Sequence, residues 1–172
     1  MIDEEAYNKA LDFAEKKHKG QFRIGGAPYI THPVAVADIL KRQGYGTDYR
    51  IAGLFHDLLE DTDATEKELL SLGNEEILHA VKLVTKEKGY DMEDYIKRIK
   101  ADKMALAVKK ADRLHNLMCA VAADENFKRK YIMESVKWYG DFSPEILKAV
   151  KELAETLDAP IPELEVLYEN PQ

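Results

Sequence analysis

The sequence predicts an all-α protein, a single compact helical domain of about eight to ten helices. Apolar residues recur at helical spacing along most of the chain, so that nearly every segment has one apolar face. The alternation of apolar and polar residues that is typical of strands never extends beyond a few residues. A length of 172 residues with 45% hydrophobic residues suits one globular domain, which we expect to span residues 1–172.

Local signals define five helices in the first half of the chain. Residues 20–31 are rich in glycine and predict a loop after the first helix. Pro33 suits the first turn of the second helix, because its missing N–H would be unpaired there anyway. Thr65 and Glu68 form a capping-box pattern at the start of a short fourth helix. The predicted helices cover about residues 6–18, 33–43, 48–59, 65–73 and 75–85.

Four further helices are predicted in the second half. Gly89 separates the first of them from the preceding helix, and Ser143 with Pro144 is typical of a helix start. These helices cover about residues 92–99, 103–122, 127–139 and 143–157. Beyond them, two prolines predict a less regular end, so that 141–172 is expected to form a last helix and a tail.

Composition excludes several classes of protein. A net charge of -7 and a pI near 5.3 argue against a dedicated nucleic-acid binder. No stretch approaches the roughly 18 apolar residues of a membrane helix, and the acidic N-terminus does not resemble a signal peptide. The single cysteine, Cys119, favours a cytoplasmic protein, because it cannot form an internal disulfide. Its apolar neighbours predict that Cys119 is a core residue.

The acidic chain contains one basic segment, residues 97–113. Such a segment could attract a small phosphorylated ligand. The alternative is a solvated helix face without a specific target.

Two strongly apolar helical segments, residues 51–61 and 105–117, carry charged side chains in their middles. His56 and Asp57 lie in the first segment and Asp112 lies in the second. A carboxylate in apolar surroundings is costly unless it is paired, protonated or bound to a metal. Imidazole and carboxylate together suit a divalent ion of borderline hardness, such as Mn, Fe, Co or Zn. These residues therefore predict a metal site.

His32 is a further candidate ligand. It precedes Pro33 at the start of a helix, where the helix dipole disfavours imidazolium and keeps the ring neutral. The remaining histidines have no comparable acidic neighbour, so hydrogen-bonded structural roles are expected for His18, His79 and His115.

Spacing adds two acids and an amide to the candidate site. Glu60 and Asp61 each lie one helical turn beyond a candidate ligand, where they could orient or deprotonate a water molecule. The alternative is that they only begin a polar loop, but their position beside His56 favours the catalytic interpretation. Asn116 follows Asp112 by one turn and could hydrogen-bond to a ligand.

The order of these residues resembles the H…HD…D metal signature of the HD-domain phosphohydrolases. Four ordered blocks are more specifically similar to the hydrolase domain of RelA/SpoT proteins and to the small alarmone hydrolases. They comprise residues 20–23, 28–33, 56–62 and 110–116, and the resemblance covers about residues 5–140.

The resemblance implies a compact HD-type helical domain and, as the usual cofactor, Mn2+. It implies hydrolysis of the 3′-pyrophosphate of guanosine tetra- or pentaphosphate, with release of pyrophosphate and GDP or GTP. The chain has no room for the synthetase module, so a stand-alone hydrolase is expected. Carried over by motif, the metal ligands would be His32, His56, Asp57 and Asp112. Glu60 and Asp61 would serve the nucleophilic water, and Arg23 and Asn116 would contact the nucleotide.

Several positions differ from the family pattern. Ile24 and Ala27 replace a lysine and a glutamate, and Met118 and Cys119 replace an arginine and a threonine. Two alternatives therefore stay open: an HD phosphohydrolase for another nucleotide or phosphate ester, and a non-catalytic nucleotide-binding module. Glu60 and Asp61 speak against the second, because a binding module needs no water-activating acids.

Overall fold

A computed structural model describes residues 2–164 of the chain, and the prediction of an all-α protein is confirmed. Within this range no strand forms beyond one antiparallel bridge between Phe22 and Pro28. Among residues 2–164, none of the helices combines the length and the apolar character that a membrane span requires. The predicted tail after residue 164 lies outside the described part. The helices are α1 (Ile2–Lys17), α2 (Thr31–Arg42), α3 (Thr47–Phe55), α4 (Leu58–Asp61), α5 (Glu66–Leu72), α6 (Glu75–Val84), α7 (Met92–Lys100), α8 (Lys103–Cys119), α9 (Glu125–Tyr139) and α10 (Pro144–Ala154), with a 3-10 turn at Ala120–Ala122.

Backbone contacts divide the chain into two compact units, Met1–His115 and Asn116–Gln172. The boundary falls inside α8. A single domain over residues 1–172 stays a prediction.

In the first unit, α2 packs against α3, and this pairing positions two of the candidate ligands. Only residues 43–46 connect the two helices, so the first turn of α2 lies beside the last turn of α3. Gly53 permits a close approach, because a Cβ atom there would lie 3.0 Å from Leu40 Cδ1 and 3.2 Å from Val36 Cγ1. His32 is in the first turn of α2 and His56 directly follows α3, so the helix pair brings both histidines to one end.

The prediction of one continuous helix over residues 48–59 is wrong. The chain forms α3 and α4 instead, and His56 and Asp57 lie between them. In a continuous helix the Gly53 carbonyl would accept the Asp57 N–H. Here His56 Nδ1 donates to that carbonyl at 2.6 Å, and Asp57 has φ -102° and ψ -3°. The His56 side chain thus takes the acceptor that would have continued the helix.

Most predicted helix starts are confirmed. Thr65 and Glu68 make the reciprocal bonds of a capping box at α5, and the Ser143 hydroxyl accepts from the Ile146 N–H at α10. Helix α2 begins at Thr31 rather than at Pro33.

In the second unit, α9 packs against α10 around the buried residues Ile132, Tyr139, Ile146 and Val150. The prediction that Cys119 is a core residue is wrong, because its side chain is exposed. Consecutive helical residues point in different directions, so an apolar run cannot all face a core.

Exchanging Ile51 for valine tests the packing of α3. Ile51 is 2% exposed, and its loss of one methylene group is expected to lower the free energy of unfolding by about 0.5–1.5 kcal/mol. The matched control is Ile24→Val, the same chemical change at a residue that is 77% exposed, for which a change within about 0.5 kcal/mol is expected. Chemical denaturation measures both values. Equal effects of the two variants would contradict the assignment of Ile51 to the core.

Candidate metal centre

Four side chains that the sequence marked as candidate ligands converge in the first unit. Around His56 Nε2, the distances are 3.2 Å to His32 Nε2, 3.0 Å to Asp57 Oδ2 and 3.3 Å to Asp112 Oδ1. His32 Nε2 is also 2.8 Å from Asp112 Oδ1 and 3.8 Å from Asp57 Oδ2. Both histidines and Asp112 are buried, and Asp57 is partly buried.

Four of these five separations, from 2.8 to 3.3 Å, suit donors that share one divalent ion, and the fifth is wider at 3.8 Å. Ligands about 2.1 Å from a common ion lie about 3.0 Å apart at octahedral angles and about 3.4 Å apart at tetrahedral angles. The donor set of two imidazoles and two carboxylates also has the chemistry of a site for a transition-metal ion. His32, His56 and Asp57 by themselves already form a group of donors spaced for metal binding.

The electrostatics of the cluster favour a positive charge at its centre. Burial lowers the pKa of His32 below its ordinary value. Burial also lowers the pKa of His56, but the Asp57 and Asp112 carboxylates outweigh this effect. The pKa of His56 is therefore raised well above its ordinary value. Burial alone would raise the pKa of both carboxyl groups, but neighbouring cations outweigh it. His56 holds the pKa of Asp57 below its ordinary value, and Lys109 with His56 does the same for Asp112. A cation is thus stabilised where these atoms meet.

Each histidine of the cluster is oriented by a contact at its other ring nitrogen. The His56 Nδ1–H donates to the Gly53 carbonyl at 2.6 Å, and this contact directs Nε2 at the cluster. His32 Nδ1 lies 2.8 Å from His115 Nδ1, with the two rings stacked. Such contacts fix the tautomer and direction of a metal-binding histidine.

Both carboxylates also have supporting partners, and sequence reasoning did not find them. The Tyr29 hydroxyl donates to Asp57 Oδ2 at 2.5 Å, and Lys109 Nζ donates to Asp112 Oδ2 at 3.0 Å. Tyr29 lies in the sequence block of residues 28–33, and Lys109 precedes Asp112 by one helical turn. The sequence therefore contains a signal for each of these two contacts.

The other histidines lie in different surroundings. His115 has the hydrogen-bonding role expected of it, but its partner is His32, a candidate metal ligand. His18 is buried, with Nδ1 2.9 Å from Gln21 Oε1. His79 is exposed on α6.

The two candidate catalytic acids lie on α4 beside the cluster. Carboxylate oxygens of Asp57, Glu60 and Asp61 all lie within 4.8 Å of one another. Both Glu60 and Asp61 are exposed. Although solvent reaches Asp61, partial burial of its carboxyl and the charges of Asp57 and Glu60 raise its pKa to about 6. Glu60 Oε1 accepts the Lys86 backbone N–H at 2.8 Å, a contact that the sequence did not indicate.

The two candidate nucleotide-binding residues have different surroundings. Arg23 lies in the loop before α2, with its guanidinium carbon 5.9 Å from the centre of the Tyr29 ring. It is also near His115, whose pKa is lowered to about 4 by burial first and then by His32 and Arg23. Asn116 follows Asp112 by one turn of α8 and belongs to the second unit, and its contact with a nucleotide stays a prediction.

The positions that depart from the family pattern face solvent. Ile24 is 77% exposed, Met118 is 55% exposed, and Ala27 and Cys119 are exposed as well. These residues therefore offer neutral side chains at the surface.

An all-α fold in which the signature residues H…HD…D converge on one point defines the HD class of metal-binding proteins. The family model described as "HD domain" matches residues 10–143. The chain belongs to the HD-domain family. Membership implies that it binds a divalent metal ion, in agreement with the cluster of His32, His56 and Asp57.

Known relatives confirm the resemblance to the RelA/SpoT branch. The chain is 36% identical over 161 residues to the guanosine-3′,5′-bis(diphosphate) 3′-pyrophosphohydrolase of Spiroplasma citri, covering 87% of this chain and 22% of that protein. It is 34% identical over 137 residues to the bifunctional (p)ppGpp synthase/hydrolase SpoT of Escherichia coli K12, covering 73% and 20% of the two proteins. The chain thus spans about a fifth of the length of these curated relatives.

A solved structure supports the fold independently. It is described as a metazoan ortholog of SpoT that hydrolyzes ppGpp, and it matches with a TM-score of 0.66 at 21% identity. The match covers 95% of this chain and 94% of the other. At this level of identity the likeness establishes the HD-type fold.

Proposed function

We propose that this chain is a metal-dependent phosphohydrolase that removes the 3′-pyrophosphate of guanosine tetra- or pentaphosphate. The products are pyrophosphate and GDP or GTP. One observation carries the proposal: the donor atoms of His32, His56, Asp57 and Asp112 converge with two acids beside them. The names of the relatives from Spiroplasma citri and Escherichia coli support the choice of substrate. The proposed compartment is the cytoplasm, which the single cysteine favours.

The proposed metal ligands are His32, His56, Asp57 and Asp112. The proposed ion is Mn2+, and Fe, Co and Zn are the alternatives, because the same donor set suits them. A bound divalent ion supplies a Lewis acid that polarises a phosphoryl oxygen and lowers the pKa of a coordinated water. The contacts of His56 with Gly53 and of His32 with His115 would hold the facing imidazole nitrogens in position for such an ion.

Glu60 and Asp61 handle the proton of the attacking water in this proposal. The water oxygen forms a bond to the phosphorus attached to O3′, and the bond between that phosphorus and O3′ breaks. The electron pair of the broken bond stays on O3′, which takes up a proton to become a hydroxyl. A carboxylate near the nucleophile accepts the proton that the water loses. The position of both acids within 4.8 Å of Asp57 supports this role.

Arg23 and Asn116 contact the nucleotide in this proposal. A guanidinium group stacks on a purine face as well as pairing with phosphate, so Arg23 can bind the guanine base. The neutral side chains of Ile24, Met118 and Cys119 supply no such charge. Hydrogen bonds to charged groups are worth about 1.5–3 kcal/mol, so we expect looser discrimination between substrates than is typical of the family.

The exposed neutral residue at position 24 favours one alternative, an HD phosphohydrolase that acts on another nucleotide or phosphate ester. A non-catalytic nucleotide-binding module is a weaker alternative. It gives no reason for Glu60 and Asp61 to gather beside a metal cluster.

A substrate panel tests the proposed reaction. We expect Mn2+-dependent release of pyrophosphate from guanosine tetraphosphate, with detectable turnover of simpler nucleotides and their 3′-phosphates as well. The measurement is the ratio of kcat/KM between the alarmone and each simpler compound, with metal-free protein as the control. Turnover of the simpler compounds without any turnover of the alarmone would overturn the substrate and leave a metal phosphohydrolase. No metal-dependent turnover in the panel would favour the binding module.

A further inference from the structure

The two oxygens of the Asp112 carboxylate have different partners. Oδ1 faces the histidines, at 2.8 Å from His32 Nε2 and 3.3 Å from His56 Nε2. Oδ2 instead accepts a hydrogen bond from Lys109 Nζ at 3.0 Å. A charge-assisted bond of this kind is stronger than a neutral one and gives the carboxylate a defined orientation.

Lys109 is itself held in place. It is 8% exposed and lies one helical turn before Asp112 on α8. Its ammonium nitrogen is 5.7 Å from the centre of the Tyr95 ring. Tyr95 is 2% exposed, and its hydroxyl donates to the Val84 carbonyl at 2.7 Å, so this ring is a fixed surface. The lysine therefore presents its charge to Oδ2 from a packed position.

A carboxylate can bind a metal ion through one oxygen or through both. An ammonium group on Oδ2 works against the second arrangement in two ways. It occupies one lone pair of Oδ2, and its charge repels a divalent cation from that side of the carboxylate.

We propose that Lys109 is a positioning residue that restricts Asp112 to metal binding through Oδ1 alone and so keeps one further coordination position open to water. This inference rests on the proposed metal ligands. It assigns Lys109 to the control of coordination, in addition to any contribution to folding.

The water-proton relaxivity of the full chain loaded with Mn2+ tests this role without any substrate, because it reports the number of water molecules on the ion. Four single-atom ligands leave about two positions of an octahedral ion to water. In Lys109→Met, Oδ2 is released to bind the ion, and the inner-sphere relaxivity is expected to fall to about half. The affinity for Mn2+, measured by titration, is expected to stay equal or to become tighter, because a repulsive charge is lost. Lys109→Arg, which keeps the charge, is expected to retain the relaxivity.

The matched control is Lys110→Met, the same change at the next residue of α8, which is expected to leave relaxivity and affinity unchanged. A Lys109→Met protein with wild-type relaxivity would overturn the proposal. If that protein also bound Mn2+ more weakly, the role of Lys109 would be purely structural. If this variant does not fold, the wild-type protein decides: about two water molecules support the proposal, and one or none overturns it. Absence of Mn2+ binding to the wild-type protein would instead overturn the proposed metal site.

Discussion

Replacing His56 by alanine is expected to abolish metal binding and, with it, hydrolytic activity. His56 Nε2 lies within 3.3 Å of the donor atoms of His32, Asp57 and Asp112, so it is the atom that the other three surround. Mn2+ at a hundredfold excess over its Kd should stabilise the wild-type protein by about 2.7 kcal/mol, provided that only the folded state binds. In His56→Ala this gain should disappear. Calorimetry with and without Mn2+ measures it, and metal analysis of the purified proteins gives the stoichiometry.

The quantity to compare is the gain from Mn2+, not the stability without metal. His56 also pairs with two carboxylates, so its loss should destabilise the metal-free protein as well. His79→Ala is the matched control, because it makes the same change on the exposed surface of α6 and should retain the full gain. A His56→Ala protein that Mn2+ stabilises as strongly as the wild type would contradict the proposed site.

The amide variants Glu60→Gln and Asp61→Asn are expected to lower kcat about a hundredfold or more while the metal ion stays bound. Loss of a general acid or base costs about this factor. The amides keep the size of the acids but do not accept a proton at neutral pH. Steady-state kinetics with saturating Mn2+ measures kcat, and a metal titration of each variant shows that the site is occupied.

The Glu60 variant separates two roles of this residue. Glu60 Oε1 accepts the Lys86 N–H, and the amide oxygen of glutamine accepts the same bond. Glu60→Gln should therefore retain the position of the loop between α6 and α7, which contains Lys86, and lose only the base. The control is Glu87→Gln, which removes an exposed carboxylate that belongs to this loop itself and should leave kcat unchanged. Unchanged turnover in both acid variants would contradict the catalytic role and show that Glu60 and Asp61 are only polar surface residues.

The helices could be predicted because their signals are local. The capping box of Thr65 and Glu68 and the pair Ser143 and Pro144 lie within one turn of the helix starts that they define. Apolar periodicity extends over two to four turns and needs no knowledge of distant residues. The same reasoning failed at Cys119, since a short apolar run does not specify which of its members face the core.

The break between α3 and α4 could not be predicted in this way. Residues 48–59 have a continuous helical pattern, but His56 hydrogen-bonds to the Gly53 carbonyl and ends α3 at Phe55. The His56 ring adopts this position where it also meets His32 and Asp112, which come from α2 and α8. The local conformation therefore depends on partners that are distant in the sequence.

The all-α class, the approximate positions of most helices and the candidate metal ligands follow from the sequence alone. Each of these depends on neighbouring residues or on an ordered motif. The contacts that hold the candidate ligands follow instead from the folded structure: Tyr29 on Asp57, His115 on His32 and Lys109 on Asp112 Oδ2. The first two contacts join different segments of the chain, which only helix packing brings together. The third pair is close in sequence, but which oxygen Lys109 takes depends on the histidines that occupy the other side of the carboxylate.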